Sequence, residues 1–192
     1  MGFLLDNCRF FSHTDEMLKF SCGDKDLDDF FLNDASKYQQ QLLCKSYSFR
    51  LKSDNTVVVC AFTLSNSSID ARSLPNNRRR KLTEHIPYEK SLSSYPATLI
   101  GRFGVSKDYG GKGIGTELME FIKKRMLLPS YLTVCRFLTV DAYNNETVLK
   151  FYEKNGFKRI FSTDKQEKEH IGLALEKDLK TRLMYFDLLP LI

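Results

Sequence analysis

Hydrophobic and polar positions follow two different periods in the first half of the chain, and each period predicts a different element. A helical stripe with spacings of three and four residues runs through 20–43, with Asp24 or Asp26 as its N-cap. Strand-length apolar runs lie at 3–11, 46–52 and 56–64. We therefore expect an edge strand, a helix and then a hairpin.

The second half alternates between strand and helix patterns. Helical patterns lie at about 76–85, from 116 onward and at 146–154. Strand patterns lie at 99–105, 132–140, 157–161 and 182–188, with a loop of mixed charge before the last one. This order predicts an α+β (α/β/α) fold: a mixed, mostly antiparallel central sheet of six to seven strands with helices on both faces. No linker-like stretch divides the chain, so a single domain over 1–192 is expected.

A strand, a glycine turn and a helix follow one another directly over 98–126. Four glycines fall within 107–115, where a backbone must turn tightly or approach a ligand. Free N–H groups at a helix start attract anions, so a phosphorylated ligand is expected, although a purely structural turn also fits. The Walker-A motif is excluded because Gly113 follows Gly111 and Lys112 where Ser or Thr is required, and the dinucleotide fingerprint lacks its third glycine.

Two motifs here resemble those of the GCN5-related N-acetyltransferase (GNAT) family. The glycine turn is similar to the family's pyrophosphate loop, Gln/Arg-x-x-Gly-x-Gly/Ala, through Gly110, Gly111, Lys112, Gly113, Ile114 and Gly115. Gly110 stands where the family has Gln or Arg, which removes one side-chain contact and leaves the backbone cradle. The second motif is an Asn at a helix start followed by a Tyr-Glu-Lys-x-Gly-Phe run, matched by Asn144, Tyr152, Glu153, Lys154, Gly156 and Phe157.

The resemblance implies a GNAT-like fold and an acetyl-CoA-dependent N-acetyltransferase. The cofactor-binding residues that it implies are Phe103, Gly104, Val105, Gly110, Gly111, Lys112, Gly113, Ile114, Gly115, Thr116 and Asn144. It also implies Tyr152 as the catalytic acid, because a phenol with a pKa near ~10 can protonate a departing thiolate. From the residues alone, Asn144 also fits a plain helix cap, and Tyr152 also fits aromatic packing beside Phe151 and Phe157.

The amino-terminal segment resembles the toxin-type branch of the family. The matching residues are Phe20, Cys22, Gly23, Leu27, Asp28, Phe30 and Ala35, with Phe31 as an additional residue before Leu32. Enzymes of that branch acetylate the amino group of aminoacyl-tRNA, so the resemblance implies a tRNA substrate and an antitoxin partner. A homodimer is also compatible with the sequence.

The net charge of +5 is concentrated between residues 71 and 90, which hold six basic and two acidic residues. Arg78, Arg79, Arg80 and Lys81 are therefore candidate substrate-contacting residues for an anionic partner such as tRNA, and a solvated helix face is the alternative. The candidates for a general base are Glu84, His85 and Glu89. None is compelling, which favours an α-amino acceptor of pKa near ~8 over a lysine of pKa near ~10.4.

Composition limits the remaining possibilities. The chain opens without a signal-peptide pattern and holds no apolar run of membrane-spanning length, so a cytoplasmic protein is expected. Its five cysteines include no Cys-x-x-Cys pair and its three histidines lie far apart, so we expect reduced thiols and no metal. Rival interpretations are acetylation of a protein amino terminus, a polyamine or another small amine, a CoA-binding module without turnover, and a basic nucleic-acid-binding domain.

Overall fold

A computed structural model describes residues 2–12, 20–72, 74–84, 86, 92–128 and 134–192. The chain separates into two compact units. The first comprises residues 1–66 and 100–130, and the second comprises residues 67–99 and 131–192. No helix among the described residues is long and apolar enough to cross a membrane.

Seven strands are present in the described part of the chain: β1 (Cys8–Ser12), β2 (Lys45–Leu51), β3 (Val58–Asp70), β4 (Ser94–Val105), β5 (Phe137–Tyr143), β6 (Lys158–Arg159) and β7 (Thr181–Asp187). They form one sheet in the order β1-β2-β3-β4-β5-β7-β6. The pairs β1/β2, β2/β3, β5/β7 and β6/β7 are antiparallel. β4 and β5 are parallel and pair over Ala97–Leu99. The expected mixed, mostly antiparallel sheet is therefore confirmed, with β1 at its edge.

The helices of the described residues are α1 (Phe3–Asn7), α2 (Lys25–Asp29), α3 (Ala35–Gln40), α4 (Asn76–Thr83), α5 (Ile114–Met126), α6 (Glu146–Lys154) and α7 (Asp164–Ile171). A π-helical turn, Phe30–Asp34, joins α2 to α3, so the predicted amino-terminal helix is continuous. Asp24 is its N-cap and accepts hydrogen bonds from the N–H groups of Asp26 and Leu27, as the sequence predicts.

Each unit has its own apolar core. In the first unit the rings of Phe20, Phe30 and Phe31 pack with small residues of α3 and β3. In the second unit Phe137 of β5 lies in a cluster with residues of β3, α4 and β4 and with Phe161. Phe137 and Phe161 are almost completely buried, so the end of β6 is anchored in the second core.

Two helices depart from the sequence-based expectation. Residues 3–7 form α1 rather than the start of a strand, because the Glu117 carboxylate of α5 accepts a hydrogen bond of 2.8 Å from the Leu4 N–H and so caps the helix start. The expected mixed-charge loop before the last strand contains α7, which Thr163 caps and Gly172 ends at φ +69°. α1 therefore depends on a distant residue, whereas α7 has end signals in its own sequence that hydrophobic periodicity alone does not reveal.

Candidate active site

The glycine loop begins where β4 ends, and backbone hydrogen bonds hold its entrance in place. The Ser106 N–H donates to the carbonyl of Val59 at 2.9 Å, and the Lys107 N–H donates to that of Ser21 at 3.0 Å. A short 3₁₀ turn over Lys107–Tyr109 follows. The chain therefore enters the loop along a fixed path within the first unit.

Two glycines give the loop its shape. Gly111 has φ +71° and Gly113 has φ +79°, a left-handed conformation that residues with a Cβ rarely adopt. A Cβ built at either position would meet nothing within 4 Å, so the requirement for glycine comes from the backbone angle and the space beside both residues is open. Gly110 differs, since its φ of −60° suits any residue.

The N–H groups that follow are available to a ligand. α5 begins at Ile114, and its first backbone hydrogen bond runs from the Glu117 N–H to the Gly113 carbonyl at 3.1 Å. Within the described ranges no protein acceptor takes the N–H groups of 111–116. Together with the positive end of the helix dipole, this row of donors suits a diphosphate. The site therefore has the properties that the pyrophosphate group of coenzyme A requires.

Lys112 is attached to the loop itself. Its ammonium group donates to the Asp108 carbonyl at 2.9 Å and lies 5.5 Å from the centre of the Tyr109 ring. These contacts keep a positive charge beside the free N–H groups. The predicted contribution of Lys112 is therefore compatible with its position.

Close packing shapes the end of β4, which the sequence predicts to align the pantetheine arm. A Cβ at Gly104 would lie 3.0 Å from Cζ of Phe20, so this glycine allows an aromatic ring to approach the strand. Phe103 and Val105 on either side are half-buried. Contacts of these three residues with pantetheine remain a prediction.

In the second unit, the structure separates the roles of two neighbouring asparagines. Asn145 is the N-cap of α6, and its amide oxygen accepts a hydrogen bond of 2.9 Å from the Val148 N–H. The reading of Asn144 as a plain cap is therefore wrong. Asn144 uses its amide N–H groups to donate to Asp164 at 3.0 Å and to the Leu179 carbonyl at 2.9 Å. A ligand would accordingly meet its amide oxygen.

A charge network formed by Arg182, Asp164 and Glu167 supports Asn144; Arg182 and Glu167 are buried, and Asp164 is half-exposed. The Arg182 side chain is 2% exposed and pairs with Glu167, which is 4% exposed, at 2.6 Å. The same guanidinium contacts Asp164, which accepts from Asn144. It also donates to the Phe161 carbonyl at 3.0 Å, so these polar groups satisfy one another. No motif or local pattern in the sequence indicates any of these three residues.

Tyr152 lies on α6 in an aromatic setting. Its ring centre is 5.2 Å from that of Phe151 and 5.4 Å from that of Phe157, both in edge-on geometry. The residue is 8% exposed, and burial raises the pKa of its phenol well above the usual value. The aromatic packing that the sequence allowed is thus present, and the phenol stays protonated at neutral pH. Its role as an acid remains a prediction.

The basic segment on α4 divides into two faces. Arg78 and Lys81 line a cavity of about 490 Å³ within the second unit, together with Glu84. Arg79 and Arg80 are exposed and are not among the residues that line it. The structure therefore brings together two of the four predicted substrate residues.

Of the three candidate general bases, the structure describes only Glu84. His85 and Glu89 lie outside the described residues. Glu84 is exposed, and its backbone carbonyl accepts a hydrogen bond from Arg136 at 3.2 Å. Asp141 on β5, which no motif in the sequence indicates, has a carboxyl pKa raised by burial although the residue as a whole is exposed. A raised pKa brings a carboxylate closer to the basicity that proton abstraction requires.

Comparison with known proteins supports the same family. Residues 83–159 match the model of the acetyltransferase (GNAT) domain. Over 99 residues the chain is 29% identical to the S-(2-succino)cysteine N-acetyltransferase of Bacillus subtilis (strain 168), which covers 52% of this chain and 59% of that enzyme. The chain thus matches less than two thirds of the length of this curated relative.

Two solved structures resemble almost the whole chain. AtaT complexed with acetyl-methionyl-tRNAfMet has a TM-score of 0.67 and 19% identity, covering 96% of this chain and 97% of that one. The AtaT mutant toxin bound to the C-terminus of the antitoxin AtaR and acetyl-CoA has a TM-score of 0.62 and 16% identity, covering 96% of each chain. The expected GNAT-like fold is thereby confirmed.

Proposed function

We propose, on the premise that the chain carries a GNAT acetyltransferase domain, that it transfers an acetyl group from acetyl-CoA to a primary amine. The amine that we propose is the α-amino group of an aminoacyl-tRNA. The observation that carries the proposal is the row of free N–H groups over 111–116. This row includes the left-handed glycines Gly111 and Gly113 and leads into the start of α5. This arrangement suits the diphosphate of coenzyme A.

We propose three groups of residues to hold acetyl-CoA. The loop N–H groups bind the diphosphate, the backbone of 103–105 orients the pantetheine, and the amide oxygen of Asn144 accepts a hydrogen bond from that arm. The bound molecule supplies an activated acetyl group. Fixed N–H donors and a fixed amide require little reorganisation on binding, which favours a productive orientation.

Tyr152 is proposed to provide the proton that the departing sulfur needs. Burial raises the pKa of the phenol, so the proton stays on Oη throughout the neutral range, and the phenol is a weaker acid toward the thiolate than an exposed tyrosine would be. A buried acid is also shielded from exchange with bulk water, and its edge-on contacts with Phe151 and Phe157 fix the direction of the ring. Tyr152 therefore acts as a proton donor and not as a base.

The choice of an α-amino acceptor rests on proton affinity. An α-amino group near pKa ~8 is neutral roughly a tenth of the time at pH 7, whereas a lysine amine is neutral about once in a thousand. An enzyme without a strong base can therefore use the former far more readily. AtaT has been observed with acetyl-methionyl-tRNA, a product of this kind. The proposed compartment is the cytoplasm, where charged tRNA is used.

The toxin-type resemblance extends the proposal to a partner. An enzyme that blocks charged tRNA would arrest translation, so we propose an antitoxin protein as its regulator. AtaT is known in a complex with the C-terminus of its antitoxin AtaR. The proposed homodimer is a separate matter that gel filtration would settle.

Transfer of radiolabelled acetyl groups tests the proposal. We expect label on charged tRNA and much less on free amino acids, polyamines and peptide amino termini. In Tyr152→Phe we expect the rate to fall by about 10²- to 10⁴-fold, the usual contribution of a general acid. Acetyl-CoA binding, measured by calorimetry, should change little because the phenylalanine ring keeps the same packing.

Each other result has a distinct meaning. Label on free amines but not on tRNA would disprove the proposed acceptor. Binding of acetyl-CoA without any product would identify a CoA-binding module. An unchanged rate in Tyr152→Phe would show that Tyr152 is not the acid.

A further inference from the structure

A cation-rich cavity lies entirely within the second unit and has no role in the chemistry described above. Its volume is about 490 Å³, which is within the range of roughly 300–1,000 Å³ typical of ligand sites. The residues that line it come from α4, from β6 and the turn after it, and from β7. Its charged and phenolic members are Arg78, Lys81, Glu84, Lys158, Arg159 and Tyr185.

The geometry of α4 divides its basic run. Arg78 and Lys81 are three residues apart and therefore share one face of the helix, and both line the cavity. Arg79 and Arg80 lie between them and do not line the cavity; both are exposed, as is Lys81. The four basic residues consequently do not form one uniform patch.

Several donors in the cavity are available to an anion. The Arg78 guanidinium contacts the Ser162 hydroxyl, but its buried Nε–H has no acceptor among the described residues. Lys81 and Lys158 form no ion pair with any part of the chain that the structure describes. Arg159 is already paired with Glu153 at 2.8 Å, so it contributes less. Because this Nε–H is itself buried, the donors open to an anion are the ammonium groups of Lys81 and Lys158, which are exposed.

Aromatic groups accompany these cations. Tyr185 is half-buried, and its ring centre lies 5.8 Å from that of Phe137, which holds the phenol against the core. Burial raises the pKa of the Tyr185 phenol, so it remains a neutral hydrogen-bond donor. Phe161 closes the inner side of the cavity. A pocket that combines cations with an aromatic surface suits a phosphate together with a base or ribose.

We propose that this cavity binds a nucleotide unit of RNA, with Arg78, Lys81 and Lys158 on the phosphate and Tyr185 beside the sugar or base. The assignment of that RNA as tRNA rests on the proposed function. An acidic peptide is the competing occupant. The observations favour RNA because the donors converge on one compact pocket with an aromatic wall, whereas an acidic peptide is extended and has no planar ring to place there.

The test measures binding of deacylated tRNA by fluorescence anisotropy over a range of KCl concentrations. We expect Arg78→Gln with Lys81→Gln to weaken binding by at least tenfold and to lower the salt slope by no more than about 1, because the cations of the cavity share one phosphate. Lys158→Gln should lower the slope by less than this pair does, and its side chain is exposed, so folding should not be affected.

Two control variants each remove two positive charges from positions that do not line the cavity. Arg79→Gln with Arg80→Gln changes the same helix by the same charge and should lose clearly less affinity. Lys150→Gln with Lys165→Gln removes two exposed lysines of other helices and should bind as the wild type does. If the cavity and Arg79/Arg80 variants lose affinity equally, binding depends on overall charge and the proposed pocket is wrong.

The remaining outcomes separate the pocket from the reaction. If cavity variants bind tRNA normally but lose binding to a polyglutamate peptide, the occupant is an acidic peptide and the proposal is overturned. If the wild type acetylates charged tRNA while Lys158→Gln and the Arg78→Gln/Lys81→Gln variant bind tRNA normally, the proposed RNA pocket is wrong and the proposed function stands. If tRNA binds through the cavity but is never acetylated, the proposed function is wrong and the pocket stands.

Discussion

The glycine loop of the first unit and the charge network of the second are built in opposite ways. The loop presents backbone N–H groups, and the residues that define it are contiguous over 110–116. The network consists of side chains from residues apart in sequence, Asp164 and Glu167 on α7 and Arg182 on β7, and it supports Asn144, which precedes α6. One region depends on the absence of side chains, and the other on each side chain being present.

This difference determines how each region should respond to mutation. A backbone site tolerates most substitutions except where φ is positive, because any residue supplies an N–H group. A buried charge network tolerates few, because removing one partner leaves the other charged and desolvated. We therefore expect the largest effects in the network and smaller, more selective effects in the loop.

The largest effect is expected for Arg182→Met. The change leaves the Glu167 carboxylate buried without its cation, and breaking such a pair typically costs about 3–5 kcal/mol of unfolding free energy. Urea denaturation measures the cost. Because Asp164 also loses its cation, we further expect weaker acetyl-CoA binding through Asn144.

The matched control is Lys165→Met, which breaks the exposed pair between Lys165 and Glu169 on α7, the helix that also carries Glu167. Such surface pairs contribute about 0–1 kcal/mol. Equal destabilisation by the two variants would contradict the importance assigned to the buried network.

A moderate effect is expected for Gly113→Ala. Alanine at φ +79° costs about 1–2 kcal/mol of backbone strain, so the loop would relax away from its ligand-ready shape. We expect roughly tenfold weaker acetyl-CoA binding by calorimetry, since 1.4 kcal/mol corresponds to tenfold in affinity. Gly110→Ala is the control: its φ is −60° and its Cβ would lie an ordinary 3.4 Å from the Lys107 carbonyl. Matching losses in both variants would disprove the argument from φ.

The smallest effect on stability is expected for Asp141→Asn. This variant compares the Asp141 carboxylate with that of Glu167, which is paired with Arg182. Burial raises the pKa of Asp141, so the folded state favours its protonated form and loses stability as pH rises through the acid range. The neutral amide should therefore raise the melting temperature at pH 7, and the gain should shrink as pH falls. A gain that persists at acid pH would mean that ionisation of Asp141 is not the cause. A loss of acetyl transfer in this variant would identify Asp141 as a base.

Local signals in the sequence were sufficient for the loop and for several helix ends. The glycine turn, the Asp24 cap and the 146–154 helix all depend on residues close together in the chain, and each is confirmed. The helix expected from residue 116 is also present, but it begins two residues earlier, at Ile114. The GNAT resemblance is likewise confirmed over 83–159. The roles of Asn144 and Tyr152 in binding and catalysis remain predictions.

Long-range contacts account for what the sequence did not show. α1 depends on a carboxylate from α5, and α7 buries Glu167 in a sequence that otherwise looks like a charged loop. The cavity combines Arg78 with Lys158 and Tyr185, which belong to three elements that no local period connects. A strongly charged segment gives no indication of which of its residues will be buried until its partners are known.

The wide π-turn at Phe30–Asp34 offers an explanation for the additional Phe31 in the toxin-type pattern. A turn with i→i+5 hydrogen bonds absorbs one inserted residue without shifting the helix on either side. Phe31 is 2% exposed and lies 5.3 Å from Phe20, whose ring in turn reaches Gly104. Phe31 thus packs on the ring that comes closest to Gly104, and in a variant that lacks Phe31 we expect Gly104→Ala to cost less stability than it does in the intact chain.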